Sequence, residues 1–265
     1  MVQPWGELSA LDRPDILQFV FYPRKDFSEK PRVANAEVCS IPVDEDVSIS
    51  CRFYFGDEKY PTVLYFHGNG EIASDYDDIG PIYNQVGINL FVADYRGYGT
   101  SGGEPTLSSM MKDAHPIFSG FKRMLEEKGL PGGLFIMGRS LGSASAIELT
   151  YHYQSQLSGF IVESGFANII NLFKHLGFPS EALGLTGRET PTGLELIRKI
   201  YIPTLIMHGE YDQLVPVQEG KALYDNVAAK DKRLLIIPGV DHNTILSGGM
   251  QQYFQALRDF VLAHS

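Results

Sequence analysis

Short unbroken apolar runs recur along the chain, each closed by glycine or by a polar cluster. They fall at residues 62–66, 89–93, 134–137, 159–163, 203–207 and 234–237. Apolar residues that do not alternate with polar ones mark strands buried on both faces, the usual state of a parallel sheet. Helical patterning separates them, over residues 71–86, 108–128, 217–229 and 251–263, and in the Ala/Ile/Glu/Leu stretch that ends at Tyr153. Pro116 is expected to kink the helix that contains it. Two further strands, 37–40 and 48–55, meet through Asp44-Glu45-Asp46. A turn centred on Glu45 sets Cys39 opposite Cys51 across this hairpin. Asp12-Arg13-Pro14-Asp15 opens a short helix with proline in its first turn, and residues 23–31 read as an exposed connector. Eight strands alternating with helices predict an α/β fold with a mostly parallel sheet.

Length and composition narrow the class. The 265 residues suffice for one sizeable core, and 44% apolar with 20% charged residues is ordinary for a globular chain. A net charge of −10 argues against a nucleic-acid partner. No apolar run approaches the length of a membrane span, and no basic segment followed by an apolar one opens the chain, so no integral membrane segment or signal peptide is expected. The expected location is therefore cytoplasmic, with the two cysteines reduced.

The candidate chemistry centres on Gly138-Arg139-Ser140-Leu141-Gly142, directly after the strand at 134–137. Gly-x-Ser-x-Gly between a strand and a helix is a nucleophile elbow. The sharp turn strains the serine, and glycines two residues either side remove the side chains that would clash. The helix start behind it offers N–H groups to an anion. His67-Gly68-Asn69-Gly70 closes the strand at 62–66 with a turn whose backbone can approach a ligand. The backbone N–H groups of Leu141 and Asn69 are the expected oxyanion hole, and His67 reads as a packed structural histidine. Asp212 and His242 follow the strands at 203–207 and 234–237. Strand C-terminal ends share one edge of a parallel sheet, so Ser140, Asp212 and His242 are expected to converge as nucleophile, orienting acid and base. Asp241 is a rival acid, but a side chain adjacent to His242 rarely reaches its Nδ1. Gly97, Gly99 and Gly102 match a dinucleotide-binding spacing, yet no helix opens at the last glycine and Pro105 intervenes. No strand end carries a metal-ligating cluster, so neither metal nor cofactor is expected.

These motifs, with residues 94–103, 208–216 and 239–243, resemble the α/β-hydrolase superfamily, in its Bem46-like and serine aminopeptidase-like branch. The resemblance runs from about residue 62 to the C-terminus. It implies an eight-stranded core, a cap between the sixth and seventh strands, and acyl transfer to water. The chain is then expected to be a single domain, 1–265, with residues 164–202 as cap insertion and 1–36 as an N-terminal extension of little chemistry. The cap carries Phe166, Phe173, Leu176, Phe178, Leu183 and Leu185 among glycines and prolines, too irregular to build its own core. An apolar pocket lined by Gly70, Glu71, Arg139, Phe166, Phe173 and Phe178 follows as an expectation. The expected reaction is ester or thioester hydrolysis of a small to medium acyl substrate by water. Two alternatives stand beside it. One is a serine aminopeptidase or amidase, with Glu71, Asp75, Asp77, Asp78 or Glu163 holding the substrate amine. The other is a non-catalytic binding module on the same fold.

Overall fold

A computed structural model describes residues 8–28, 30–179 and 193–265 of the chain, so Leu183 and Leu185 lie outside the described residues. The strands are β1 (Ala36–Pro42), β2 (Ser48–Tyr54), β3 (Thr62–Phe66), β4 (Asn89–Ala93), β5 (Leu134–Arg139), β6 (Gly159–Glu163), β7 (Thr204–Gly209) and β8 (Lys232–Ile237). They form one sheet in the order β1-β2-β4-β3-β5-β6-β7-β8. The pairs β1–β2 and β2–β4 are antiparallel and every other pair is parallel. This is the mostly parallel, eight-stranded sheet that the apolar runs predict, in keeping with the core that the resemblance implies.

The sheet divides its side chains between two apolar layers with the period of two that a pleated strand requires. Leu64, Phe66, Ile136, Phe160, Val162 and Ile206 face one layer. Val63, Tyr65, Phe135, Met137, Ile161, Leu205 and Met207 face the other. The helices are α1 (Pro14–Val20), α2 (Gly80–Gln85), α3 (Leu107–Glu127), α4 (Gly142–Tyr153), α5 (Ile169–His175), α6 (Leu194–Ile197), α7 (Val217–Asn226) and α8 (Ile245–Ala263). The first layer is closed by α1 and α3 through α7, and the second by α2 and α8. Among the described residues, no helix is long and apolar enough to cross a membrane.

Three elements depart from their predicted form. Residues 71–86 are not one helix but a 3-10 turn, Ala73–Asp78, followed by α2. Pro81 lies in the first turn of α2, where its missing N–H costs nothing. Gly80 passes so close to the Tyr54 ring that a Cβ would stand 2.3 Å from it. Helix α3 continues through Pro116 as one element, packed along its length by Met111, Ala114, Ile117 and Phe118. Helix α8 starts earlier than its apolar pattern suggests, with Gly249 leaving helical geometry near its start (φ −125°, ψ 16°).

The hairpin register does place Cys39 opposite Cys51. Both are free thiols. Burial pushes the Cys39 thiol up to about 11 and that of the deeper Cys51 well above its ordinary range.

Candidate active site

At the end of β5, Ser140 adopts the left-handed region at φ +51°. Few non-glycine residues tolerate this, and the flanking glycines show why it is possible here. A Cβ on Gly138 would lie 2.4 Å from the Gly142 carbonyl oxygen, and one on Gly142 2.1 Å from that of Phe66. The turn is tied down by the Ser140 N–H donating to the Glu163 carbonyl (2.9 Å) and by Ser143 Oγ–H donating to the Ser140 carbonyl (2.6 Å).

Asp212 and His242 meet at this edge. The Nδ1–H of His242 donates to Asp212 Oδ2 at 2.7 Å. Asp212 Oδ1 accepts the Leu214 and Val215 backbone N–H groups at 3.0 and 2.8 Å. A second imidazole, His208 on β7, sets its Nε2 3.3 Å from Asp212 Oδ2 while donating to the Val215 carbonyl at 2.8 Å. Burial raises the Asp212 pKa. Hydrogen bonds from His208 and His242, then the charge of His242, outweigh that and hold the carboxyl well below the ordinary range. Asp241 is turned outward instead, accepting from the Thr244 hydroxyl (2.8 Å) and from backbone N–H groups. The Asn69 and Leu141 backbone N–H groups have no acceptor among the described residues.

Beneath the serine lies a buried polar network that sequence spacing does not reveal. Arg139 donates from Nε to Glu163 (2.9 Å) and from Nη2 to the His242 backbone carbonyl (2.7 Å), and it pairs through Nη1 with Glu71. Glu71 also accepts from the Gly68 N–H (2.9 Å) and the Tyr76 hydroxyl (2.7 Å), and Glu163 from Tyr253 (2.7 Å). Burial alone would push the Glu71 carboxyl up, but the adjacent Arg139 charge brings it below its usual range. Arg139 thus ties the loop carrying Asn69, the elbow and the loop carrying His242 into one unit.

Substituting Arg139 by leucine should leave Glu71 and Glu163 buried without their counter-charge. The expected cost is about 3–5 kcal/mol of stability. The loss should shrink as pH falls from 8 to 5, because the orphaned carboxylates can then neutralise by taking protons. Urea melts of both proteins at the two pH values measure this. A loss under about 1 kcal/mol, equal at both, would mean that the network holds nothing together.

Ser140 and His242 open onto one cavity of about 320 Å³. Its wall includes Asn69, Arg139, Leu141, Phe166, Ile169, Leu172, Phe173, Leu176, Leu214, Val215 and Asn243. Phe19 and Val20 complete it, which corrects the expectation that the first 36 residues carry little chemistry. The segment after α1 straps over the glycine turn. Asn69 donates from Nδ2 to the Val20 carbonyl (2.6 Å), and its Oδ1 accepts from the Tyr22 N–H (2.8 Å) and the Tyr98 hydroxyl (2.7 Å). Arg24 reaches the Gly70 carbonyl (3.0 Å) and pairs with Asp75 (2.6 Å).

Three expected wall residues are placed elsewhere. Gly70 lies under the strap, and Glu71 turns into the Arg139 network because an ionised carboxylate is better satisfied there than against apolar walls. Phe178 stands behind the wall, packing on Phe19 and Phe173 with ring centroids 5.1 and 6.3 Å away.

Comparison with known proteins agrees with this architecture. The family described as serine aminopeptidase, S33, matches residues 57–192 and 186–247. Protein bem46 of Schizosaccharomyces pombe is 31% identical over 218 residues, covering 77% of this chain and 68% of its own. Human alpha/beta hydrolase domain-containing protein 17B is 28% identical over 207 residues, covering 77% of this chain and 66% of its own. The chain thus spans about two thirds of the length of these relatives. The esterase Pf2001 of Pyrococcus furiosus shares the fold with a TM-score of 0.74 at 17% identity, covering 92% of this chain and 98% of its own. Sheet order, elbow and sequence define an α/β-hydrolase. The chain belongs to the serine aminopeptidase S33 family, in its Bem46-like branch.

Proposed function

We propose that the protein is a serine hydrolase that cleaves carboxylic ester or thioester bonds of small to medium acyl substrates through an acyl-enzyme. The observation that carries this reading is the shared cavity of Ser140 and His242, with Asp212 2.7 Å from His242 Nδ1. Because Asp212 is an ionised acceptor, Nδ1 carries the proton and Nε2 is left as the basic nitrogen. Ser140 Oγ attacks the acyl carbon while Nε2 takes its proton, and the carbonyl oxygen becomes an anion held by the Asn69 and Leu141 N–H groups. Collapse expels the alcohol or thiol, which leaves with the proton from Nε2. Water then repeats the sequence on the acyl-serine and releases the acid, so each cycle consumes one water and restores Ser140 and His242.

The described part of the expected cap, residues 164–179 and 193–202, covers the site in this scheme through α5, which supplies the wall residues Ile169, Leu172 and Phe173. The amidase alternative is less well supported. Its five candidate amine anchors each face an arginine: Glu71 and Glu163 face Arg139, Asp75 faces Arg24, Asp77 faces Arg52 and Asp78 faces Arg32. The binding-module alternative leaves the depressed Asp212 and the unpaired oxyanion donors without a purpose. Turnover of p-nitrophenyl esters, acyl-CoA thioesters and aminoacyl amides, measured side by side, tests the proposal. Amides turned over faster than both esters and thioesters would overturn it.

Substrate length should follow the cavity. At about 30 Å³ for each water-sized group, 320 Å³ holds about ten non-hydrogen atoms shared between acyl and leaving groups. Each buried methylene is worth about 0.8 kcal/mol, close to fourfold in kcat/KM if realised in the transition state. Preference should climb from acetyl to about butyryl or hexanoyl and then fall. Phe19→Ala and Phe173→Ala should each lower hexanoyl kcat/KM about tenfold and leave acetyl nearly unchanged. A flat chain-length series, unaltered by either substitution, would remove the cavity from substrate selection.

A further inference from the structure

Away from the cavity, α3 and α4 pack side by side, with Phe118 stacked on Tyr153 at 4.6 Å between ring centroids. At this seam three metal-ligating side chains converge. His152 Nε2 lies 3.0 Å from Glu148 Oε1, one turn earlier on α4. His115 Nε2, from α3, lies 3.3 Å from the same oxygen. The three ligand atoms are all within 4.8 Å of one another. Glu148 is buried, whereas both imidazoles are partly exposed, so an ion can reach them from solvent.

A carboxylate oxygen can accept from two imidazoles, as Asp212 does. Here, however, both imidazoles turn Nε2 to a largely buried carboxylate at a surface seam, and the three ligand atoms are spaced as around a metal centre. Zinc binds nitrogen and oxygen ligands at about 2.0–2.2 Å, and tetrahedral geometry then sets neighbouring ligand atoms about 3.3–3.5 Å apart. The observed 3.0 and 3.3 Å need only small adjustment. The ring centroids of His115 and His152 stand 5.3 Å apart. Two Nε2-bound imidazoles on a tetrahedral ion would stand about 5 Å apart. The outer nitrogen of His115 also has its partner, Nδ1 lying 2.9 Å from the Tyr153 hydroxyl. That hydroxyl can accept as well as donate, so it supports the Nδ1–H tautomer that frees Nε2 for a metal.

We propose that His115, Glu148 and His152 form a binding site for a late first-row divalent cation of the zinc type, with water as its fourth ligand. Two imidazoles and one carboxylate select such ions over Mg²⁺ and Ca²⁺, which prefer all-oxygen sites. Its two ligands on α4, Glu148 and His152, lie about 9 and 15 Å along the helix from Gly142 at about 1.5 Å per residue. Its role is to clamp α3 to the helix that presents Ser140, not to take part in turnover. The sequence-based expectation of no metal concerned the strand ends, and this cluster stands on helices, with His115 33 residues from Glu148.

Calorimetric titration of ZnCl₂ into the chelator-stripped full chain tests the site. One Zn²⁺ per chain should bind with micromolar affinity, and MgCl₂ should give no binding heat. His115→Gln and His152→Gln keep a polar group beside Glu148 but lose the ligand nitrogen, and each should weaken binding at least tenfold. His264→Ala, outside the cluster, should leave it unchanged. Zinc should raise the melting temperature of the parent but not of the double His115→Gln/His152→Gln variant, while chelator leaves ester turnover as it was. Zinc binding that survives in the double variant, or none below about 100 μM in the parent, would overturn the proposal.

Discussion

Replacing Ser140 by alanine is expected to lower kcat about 10⁶-fold, the loss seen when the nucleophile of comparable triads is removed. The loss should fall on chemistry and not on folding. Ser140 Oγ makes no hydrogen bond among the described residues, and its strained backbone at φ +51° is imposed by the elbow. Alanine has the same Cβ in the same left-handed conformation, so the strain is unchanged and the turn should persist. KM should stay within severalfold, because the cavity walls are untouched. A fluorophosphonate probe, which reports an activated serine beside oxyanion donors, should label the parent at Ser140 and not label the variant. Two neighbouring serines make this discriminating. The Ser143 hydroxyl is committed to the Ser140 carbonyl, whereas Ser164 also has a positive φ, of +46°, and a buried Oγ without a hydrogen-bond partner among the described residues. Labelling that persists on Ser164 would move the nucleophile to the end of β6.

What could be foreseen from the sequence follows the range of the interaction. Burial on both faces leaves an unbroken apolar run, so each parallel strand was legible locally. The elbow was legible because its steric requirement spans five residues, and Asp212 and His242 because a parallel sheet gathers strand ends at one edge. The Arg139 network was hidden, since its partners Glu71, Glu163 and His242 are separated from it by 68, 24 and 103 residues. The strap was hidden for the same reason. Asn69 and Tyr22 are 47 residues apart, and residues 12–21 carry only the pattern of an ordinary short helix. Glu71 is expected in the pocket lining, directly after the glycine turn. Its orientation is decided by Arg139, which no local pattern announces. The division of residues 71–86 at Gly80-Pro81 was visible as composition, but apolar periodicity across it reads as one helix.

Asp212→Asn is expected to cost about 10⁴ in kcat with the fold retained, the loss seen in triads where the acid becomes an amide. The asparagine can present its oxygen to the Leu214 and Val215 N–H groups, as Oδ1 does now. Its NH₂ must then face His242 Nδ1, which can accept that contact only by giving up its own proton. The imidazole shifts to the Nε2–H tautomer, and the nitrogen that should take the serine proton is already occupied. The same carboxylate shapes acid stability. Its folded pKa lies below the unfolded value of about 3.9, so its stabilising contribution is complete above that pH. It is lost as pH falls through the folded value, where the folded carboxylate also takes a proton. The parent should therefore exceed the variant in urea stability at pH 7, and the gap should narrow as pH is lowered below about 4. A kcat loss of tenfold or less, with the stability gap unaltered by pH, would assign the orienting role to Asp241 or Glu163 and leave Asp212 as a support for its own loop.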